Sequence, residues 1–129
     1  MCSALATLDL RMDRVTLSAP AEDDFHTLLR LVVGGIGSRS RLSYEQTSEL
    51  QLAVEALVAN RSTTTGTVVL EAGIEGPSVT VLIGPFASAD DTAARRALEK
   101  LVDEIRLVEA DGGEWIELTV AAAARTGGP

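Results

Sequence analysis

Cysteine and histidine are nearly missing from this chain. Its 129 residues hold one cysteine, Cys2, so no internal disulfide can form. The only histidine is His26. With a single cysteine beside it, the usual zinc frameworks are excluded. A Ser-His-Asp or Cys-His triad would have to use that one imidazole, and no GxSxG nucleophile motif is present. Long apolar runs are missing too, since none approaches the roughly 18 residues of a membrane span. The amino terminus, MCSALATLDLRMDR, has neither a basic start nor a long apolar stretch. It predicts no signal peptide and a cytoplasmic protein.

Positive charge is in short supply. Nineteen acidic residues stand against eleven basic ones, a net charge of -8. Such a surface repels phosphate backbones and anionic lipid, which speaks against nucleic acid and membrane partners. Solubility accounts for the charge by itself, and a basic protein partner is its functional reading. What is present is ordinary globular material, 46% apolar and 23% charged. The length predicts one domain over 1–129, with a flexible tail at 124–129.

Residues 5–17 alternate weakly and predict one bulged strand or two short ones. Pro20 suits a first helical turn, and Glu22, Asp23 and Asp24 suit the positive end of a helix. A first helix is predicted over about 21–36, with Phe25, Leu28, Leu29, Val32 and Ile36 as its apolar stripe and Gly34, Gly35 and Gly37 ending it. His26 falls beside that stripe, as a partly exposed helix histidine. Ser43 and Gln46 have capping-box spacing and open a second helix that reaches Asn60. Leu50, Val54 and Leu57 form its buried stripe.

TVVLEAGI and SVTVLIG flank Glu75-Gly76-Pro77 as a hairpin. Ala94, Leu98, Leu101 and Ile105 place a third helix on one face. A last hairpin follows, from Leu107 through Asp111-Gly112-Gly113 to the alternating Trp115–Val120. Trp115 is expected in the core. The order of elements predicts an α+β, two-layer sandwich: a mostly antiparallel sheet covered on one face by about three helices.

Three stretches carry a resemblance: LLRLVVGGIGSRSRLSYEQTSELQLAVEALVAN, VTVLIGPF and ALEKLVDEIRLVEADGGEWIELTV. Their order and spacing resemble the ATP-binding domain of histidine kinases, gyrase, the heat-shock chaperone and MutL. Within that group they are similar to the RsbW-like anti-sigma factor and serine-kinase family. The family carries a helix reading roughly Glu-Ala-x-x-Asn, whose Asn holds the magnesium on ATP and whose Glu is the base. Aligned through LQLAV, Asn60 falls on the metal-binding position and Ala56 on the base. Glu55 lies one residue away, about 100° round the helix. A one-residue slip would move Glu55 onto the base position and Ala59 onto the asparagine.

The family's next motif, Asp-x-Gly-x-Gly, reads adenine. Here Leu82 or Ile83 takes the aspartate position, Gly84 and Pro85 remain as a turn, and Phe86 stands where a glycine would. The loop before the third helix is short, without a glycine-rich lid, and Asp90 and Asp91 would repel phosphate.

The resemblance therefore implies a pseudo-ATPase that acts by binding proteins, with no cofactor expected. Mg-ATP would sit on Asn60 and Gly84 only if the site were functional. A sigma factor and an anti-anti-sigma protein are the implied partners, with a possible homodimer. Glu22, Asp23 and Asp24 are candidate partner contacts, and Arg30, Arg39 and Arg41 could share their rim. The alternatives are an active ATP-dependent serine kinase and a structural dimerisation module without a sigma partner.

Overall fold

A computed structural model of the chain describes residues 7–10, 13–20, 25–60, 63, 65–87, 92–110 and 113–122. Period-two alternation builds the sheet. In β2 (Arg14–Pro20) Val15, Leu17 and Ala19 are buried, and in β3 (Thr67–Glu75) Val68, Leu70 and Ala72. In β4 (Ser78–Phe86) the buried set is Val79, Val81 and Ile83, and in β6 (Gly113–Ala121) it is Ile116, Leu118 and Val120. One parity of each strand thus faces a common core. With β1 (Thr7–Leu10) and β5 (Glu104–Ala110) at the edges, the six strands run in the order β1-β2-β3-β4-β6-β5, every pair antiparallel.

The helices supply the second layer. Phe25, Leu29, Val33 and Ile36 of α1 (Phe25–Arg39) are buried, as are Leu50, Ala53, Val54 and Leu57 of α2 (Tyr44–Asn60) and Leu98 of α3 (Thr92–Glu99). Helix α1 packs on β2, β3 and α2, and α3 lies against α2 and β5. The fold is the expected α+β sandwich with helices on one face.

Four local expectations are corrected. Pro20 does not begin a helix; it ends β2, opposite Thr67. Helix α1 begins at Phe25 and runs through Gly34, Gly35 and Gly37 to Arg39. Packing overrides the low helix propensity of glycine there, because a Cβ on Gly37 would lie 2.5 Å from Thr47 Cγ2 of α2. The third helix stops at Glu99, and Ile105 belongs to β5. Asp103 redirects the chain: its N–H donates to Thr119 O at 2.9 Å and its Oδ2 accepts from Ala121 N at 2.7 Å, which docks the segment beside β6. Trp115, finally, lies half-buried on the sheet face opposite the core parity of β6.

The second helix starts as predicted. Ser43 Oγ accepts the Gln46 N–H, and Gln46 Oε1 accepts the Ser43 N–H, each at 3.0 Å. Gln46 also donates through Nε2 to Ala121 O at 2.7 Å, tying the helix start to the end of β6.

Candidate functional site

The candidate site is the corner where α2 ends and β4 runs out. Helix α2 terminates at Asn60. Three residues further on, Thr63 forms an isolated antiparallel bridge with Phe86. The backbone of Asn60 and the end of β4 therefore share one corner of the molecule. The Asn60 side chain lies outside the described residues, as do Glu22, Asp23 and Asp24, Asp90 and Asp91, and the tail from 123.

Gly84 and Pro85 do not form a turn. Strand β4 continues to Phe86, with a register irregularity between Ile83 and Phe86, and Phe86 pairs with Glu114 of β6. The Gly84–Pro85 peptide is cis. Phe86 and Ile83 are fully buried, and Leu82, one residue along, is half-buried on the opposite face. A Cβ on Gly84 would meet Trp115 Cδ2 at 2.8 Å and Glu114 O at 3.0 Å. Glycine here lets the indole lie against the strand backbone. The Trp115 Nε1 is buried without a hydrogen-bond partner among the described residues.

On α2, Ala56 is partly buried against the core and carries no proton-accepting group. Glu55 points elsewhere, as its position on the helix predicts. Its carboxylate takes two hydrogen bonds from Arg30 of α1, Nε to Oε2 at 2.7 Å and Nη2 to Oε1 at 3.0 Å. That fork is charge-assisted and geometrically specific. Those hydrogen bonds hold the Glu55 carboxyl below its ordinary range and raise the Arg30 guanidinium. Nearby, Gln51 Nε2 donates to Arg30 O at 2.8 Å. Half-buried His26 adds a weaker field at Glu55.

Sequence reasoning missed the Arg30–Glu55 pair. Its only signal was a pair of opposite charges on consecutive helices, 25 residues apart. Among the described residues no three His, Cys, Asp or Glu are placed to hold a metal ion. No described helix is long and apolar enough to cross a membrane.

The geometry defines a class first: a single antiparallel sheet under three helices, with a helix C-terminus and a strand end meeting in one corner. The comparisons then point to particular relatives. Over 48 residues, 37% of this chain, it is 40% identical to the serine-protein kinase RsbW of Listeria monocytogenes serotype 4a, strain HCC23. The same identity and coverage hold for the serine-protein kinase RsbW of Listeria innocua serovar 6a. The match spans 31% of the length of those proteins. No protein-family model matches the chain. The similarity supports a distant RsbW-like relationship.

Proposed function

We propose that the chain is an anti-sigma-factor-like regulator that acts by binding proteins, on a fold whose nucleotide site lacks the groups for phosphoryl transfer. One observation carries the reading. Where the family places an aspartate and glycines around adenine, this chain runs an extended strand into a fully buried Phe86, bridged by Thr63 and paired with Glu114.

Leu82 and Ile83 offer no carboxylate to an amino group, and a hydrogen bond to a charged group contributes about 1.5–3 kcal/mol. Ala56 at the base position cannot accept a proton. Phosphoryl transfer depends on positioning and charge neutralisation, so the residues at these positions do not fit Mg-ATP. The partial similarity to RsbW supports the regulatory half of the reading. A sigma factor and an anti-anti-sigma protein are the proposed partners, with a homodimer as the proposed assembly in the cytoplasm.

The test titrates Mg-ATP against the melting temperature. A ligand at 100 times its Kd stabilises by about 2.7 kcal/mol, which raises the midpoint of a domain this size by roughly 5 °C or more. No shift is expected at millimolar Mg-ATP, and the chain should capture a sigma factor or an anti-anti-sigma protein from its native host. A shift that Asn60→Ala abolishes would put the active serine kinase first. That second reading rests on Asn60 and on the kinase name of the relatives.

A further inference from the structure

The two edges of the sheet are unequal. Strand β1 is four residues long and β5 is seven. Strand β5 pairs with β6, and among the described residues no other backbone group bonds to it. The hairpin sets its phase. Ala110 faces Gly113 with two residues between them, and the pair that closes such a connection is hydrogen-bonded. Bonded and non-bonded pairs alternate from there. Ala110, Val108, Arg106 and Glu104 therefore turn their N–H and C=O inward, to Gly113, Trp115, Glu117 and Thr119. Ile105, Leu107 and Glu109 turn theirs outward. Asp103 ends that row, because its N–H donates inward to Thr119 O at 2.9 Å.

The usual guards of a free edge are missing from β5. Lysine, proline and bulges keep edge strands from pairing. Strand β5 holds neither lysine nor proline, and its register with β6 runs unbroken from Glu104 to Ala110. Arg106, its only cation, lies back on Glu117 of β6 at 3.1 Å. Leu107 is 42% exposed, whereas the other exposed large apolar side chains described, Leu31, Tyr44 and Leu52, lie on helices. A row of outward N–H and C=O groups with an exposed leucine at its middle is the surface to which a further strand adds.

We propose that the outer edge of β5 pairs antiparallel with β5 of a second copy, about a twofold axis at Leu107, so that two sheets become one. The edge itself selects this occupant. A twofold axis normal to the sheet keeps all helices on one side, so residues of like parity face each other. Centred on Leu107, every outward group of Ile105, Leu107 and Glu109 finds a partner. Leu107 then meets Leu107 of the second copy, Ile105 meets Glu109, Arg106 meets Val108 and Glu104 meets Ala110. No like charges stand directly opposite. Centring on Arg106 would set two guanidiniums face to face. Centring on Ile105 would call on the Asp103 N–H, which Thr119 already holds. Centring on Val108 would carry Ile105 past the end of the facing strand. The inference rests on the homodimer of the reading above and names its surface.

The test uses the full chain. Sedimentation velocity should give twice the 13.5 kDa monomer mass at high concentration, falling to monomer on dilution. Residue-resolved hydrogen exchange reads the phase. The amides of Ile105, Leu107 and Glu109 should gain protection as concentration rises, while those of Arg106 and Val108 stay protected throughout. Leu107→Pro removes an outward N–H and no bond to β6, and edge strands accept proline at such a position. Leu107→Lys leaves the backbone alone and sets two like charges at the axis. Each should weaken self-association roughly tenfold or more, with the far-UV circular dichroism of the wild type retained.

Three results would overturn the proposal. A monomer at every concentration would leave the edge to a foreign strand. Protection of Ile105, Leu107 and Glu109 that ignores concentration would mean that the chain covers its own edge. A dimer indifferent to both variants would place the contact elsewhere. The two readings fail separately. A dimer that ignores the variants removes the β5 edge and leaves the homodimer standing. Edge pairing as expected, with no sigma factor or anti-anti-sigma protein captured from the native host, removes the regulator identity alone.

Discussion

The α1–α2 crossing and the far end of β4 are built on opposite principles. At the crossing, contact is close and polar. Gly37 lies under Thr47, Gln51 bonds to the α1 backbone, and Arg30 grips Glu55 in the solvent. At the end of β4, contact is close and apolar. Phe86 and Ile83 are sealed in, and Trp115 lies against Gly84. The ATP-binding domains this chain resembles concentrate carboxylate and glycine at the second place. Here the glutamate nearest the base position is committed to a helix–helix ion pair, and the strand end is used for packing. Polar groups set how the two helices cross, and apolar groups seal the end of the strand.

Six substitutions, one of them a second-site partner, break or sharpen that contrast. The largest effect belongs to the apolar end. Phe86→Ala removes a fully buried ring and should cost about 3–5 kcal/mol in urea unfolding. A loss under 1 kcal/mol would mean the corner is not sealed.

Next comes the close approach in α1. Gly37→Ala places a methyl 2.5 Å from Thr47 Cγ2 and 2.6 Å from its Oγ1. Overpacking of about 1–3 kcal/mol should exceed the roughly 1 kcal/mol gained in helix propensity. Adding Thr47→Ala should recover much of the loss, as a double-mutant cycle will show.

Ser43→Ala removes the hydroxyl half of the capping box and should cost about 1 kcal/mol. Gly35→Ala, two residues before Gly37 on the same helix, has open space for its methyl. It should stabilise by about 0.5–1 kcal/mol. Opposite signs at two neighbouring glycines would be hard to obtain if α1 did not cross α2 as described.

The smallest effect is electrostatic. Glu55 has a lowered folded-state pKa, so its contribution is present above the unfolded value of about 4.3 and is lost as pH falls through the folded value. Wild type should exceed Glu55→Gln in stability at pH 7, and the gap should fade below about pH 4.3. Added salt should narrow it as well, since the Arg30 side chain is 63% exposed.

Much of the sheet was legible because parity is a local signal. The alternation of Ile116, Leu118 and Val120 with Trp115, Glu117 and Thr119 marks β6 as a strand with two unlike faces before any neighbour is known, and only the fold puts Trp115 on the face opposite the core. The capping box was legible for the same reason, since both partners lie within one helical turn. The candidate corner was legible only by resemblance, which set Asn60, Gly84 and Phe86 against the family's positions. Nothing local says that Thr63 bridges Phe86 or that Gly84 makes room for Trp115. The same limit applies to Ile105, whose spacing from Leu98 and Leu101 fits a helix until Asp103 pairs with β6.

By itself, the sequence determined the class of fold: an acidic α+β sandwich, without internal disulfide or the usual zinc framework, its strands and helices marked by period and caps. It also determined that no carboxylate stands at Ala56, Leu82 or Ile83. Tertiary structure alone decided where α1 ends, which glycines are crowded, which face Trp115 occupies and whom Glu55 pairs with. The physical reason is range. Period, caps and residue identity act within a few positions of the chain, whereas steric crowding, ion pairing and burial depend on residues that only folding brings together.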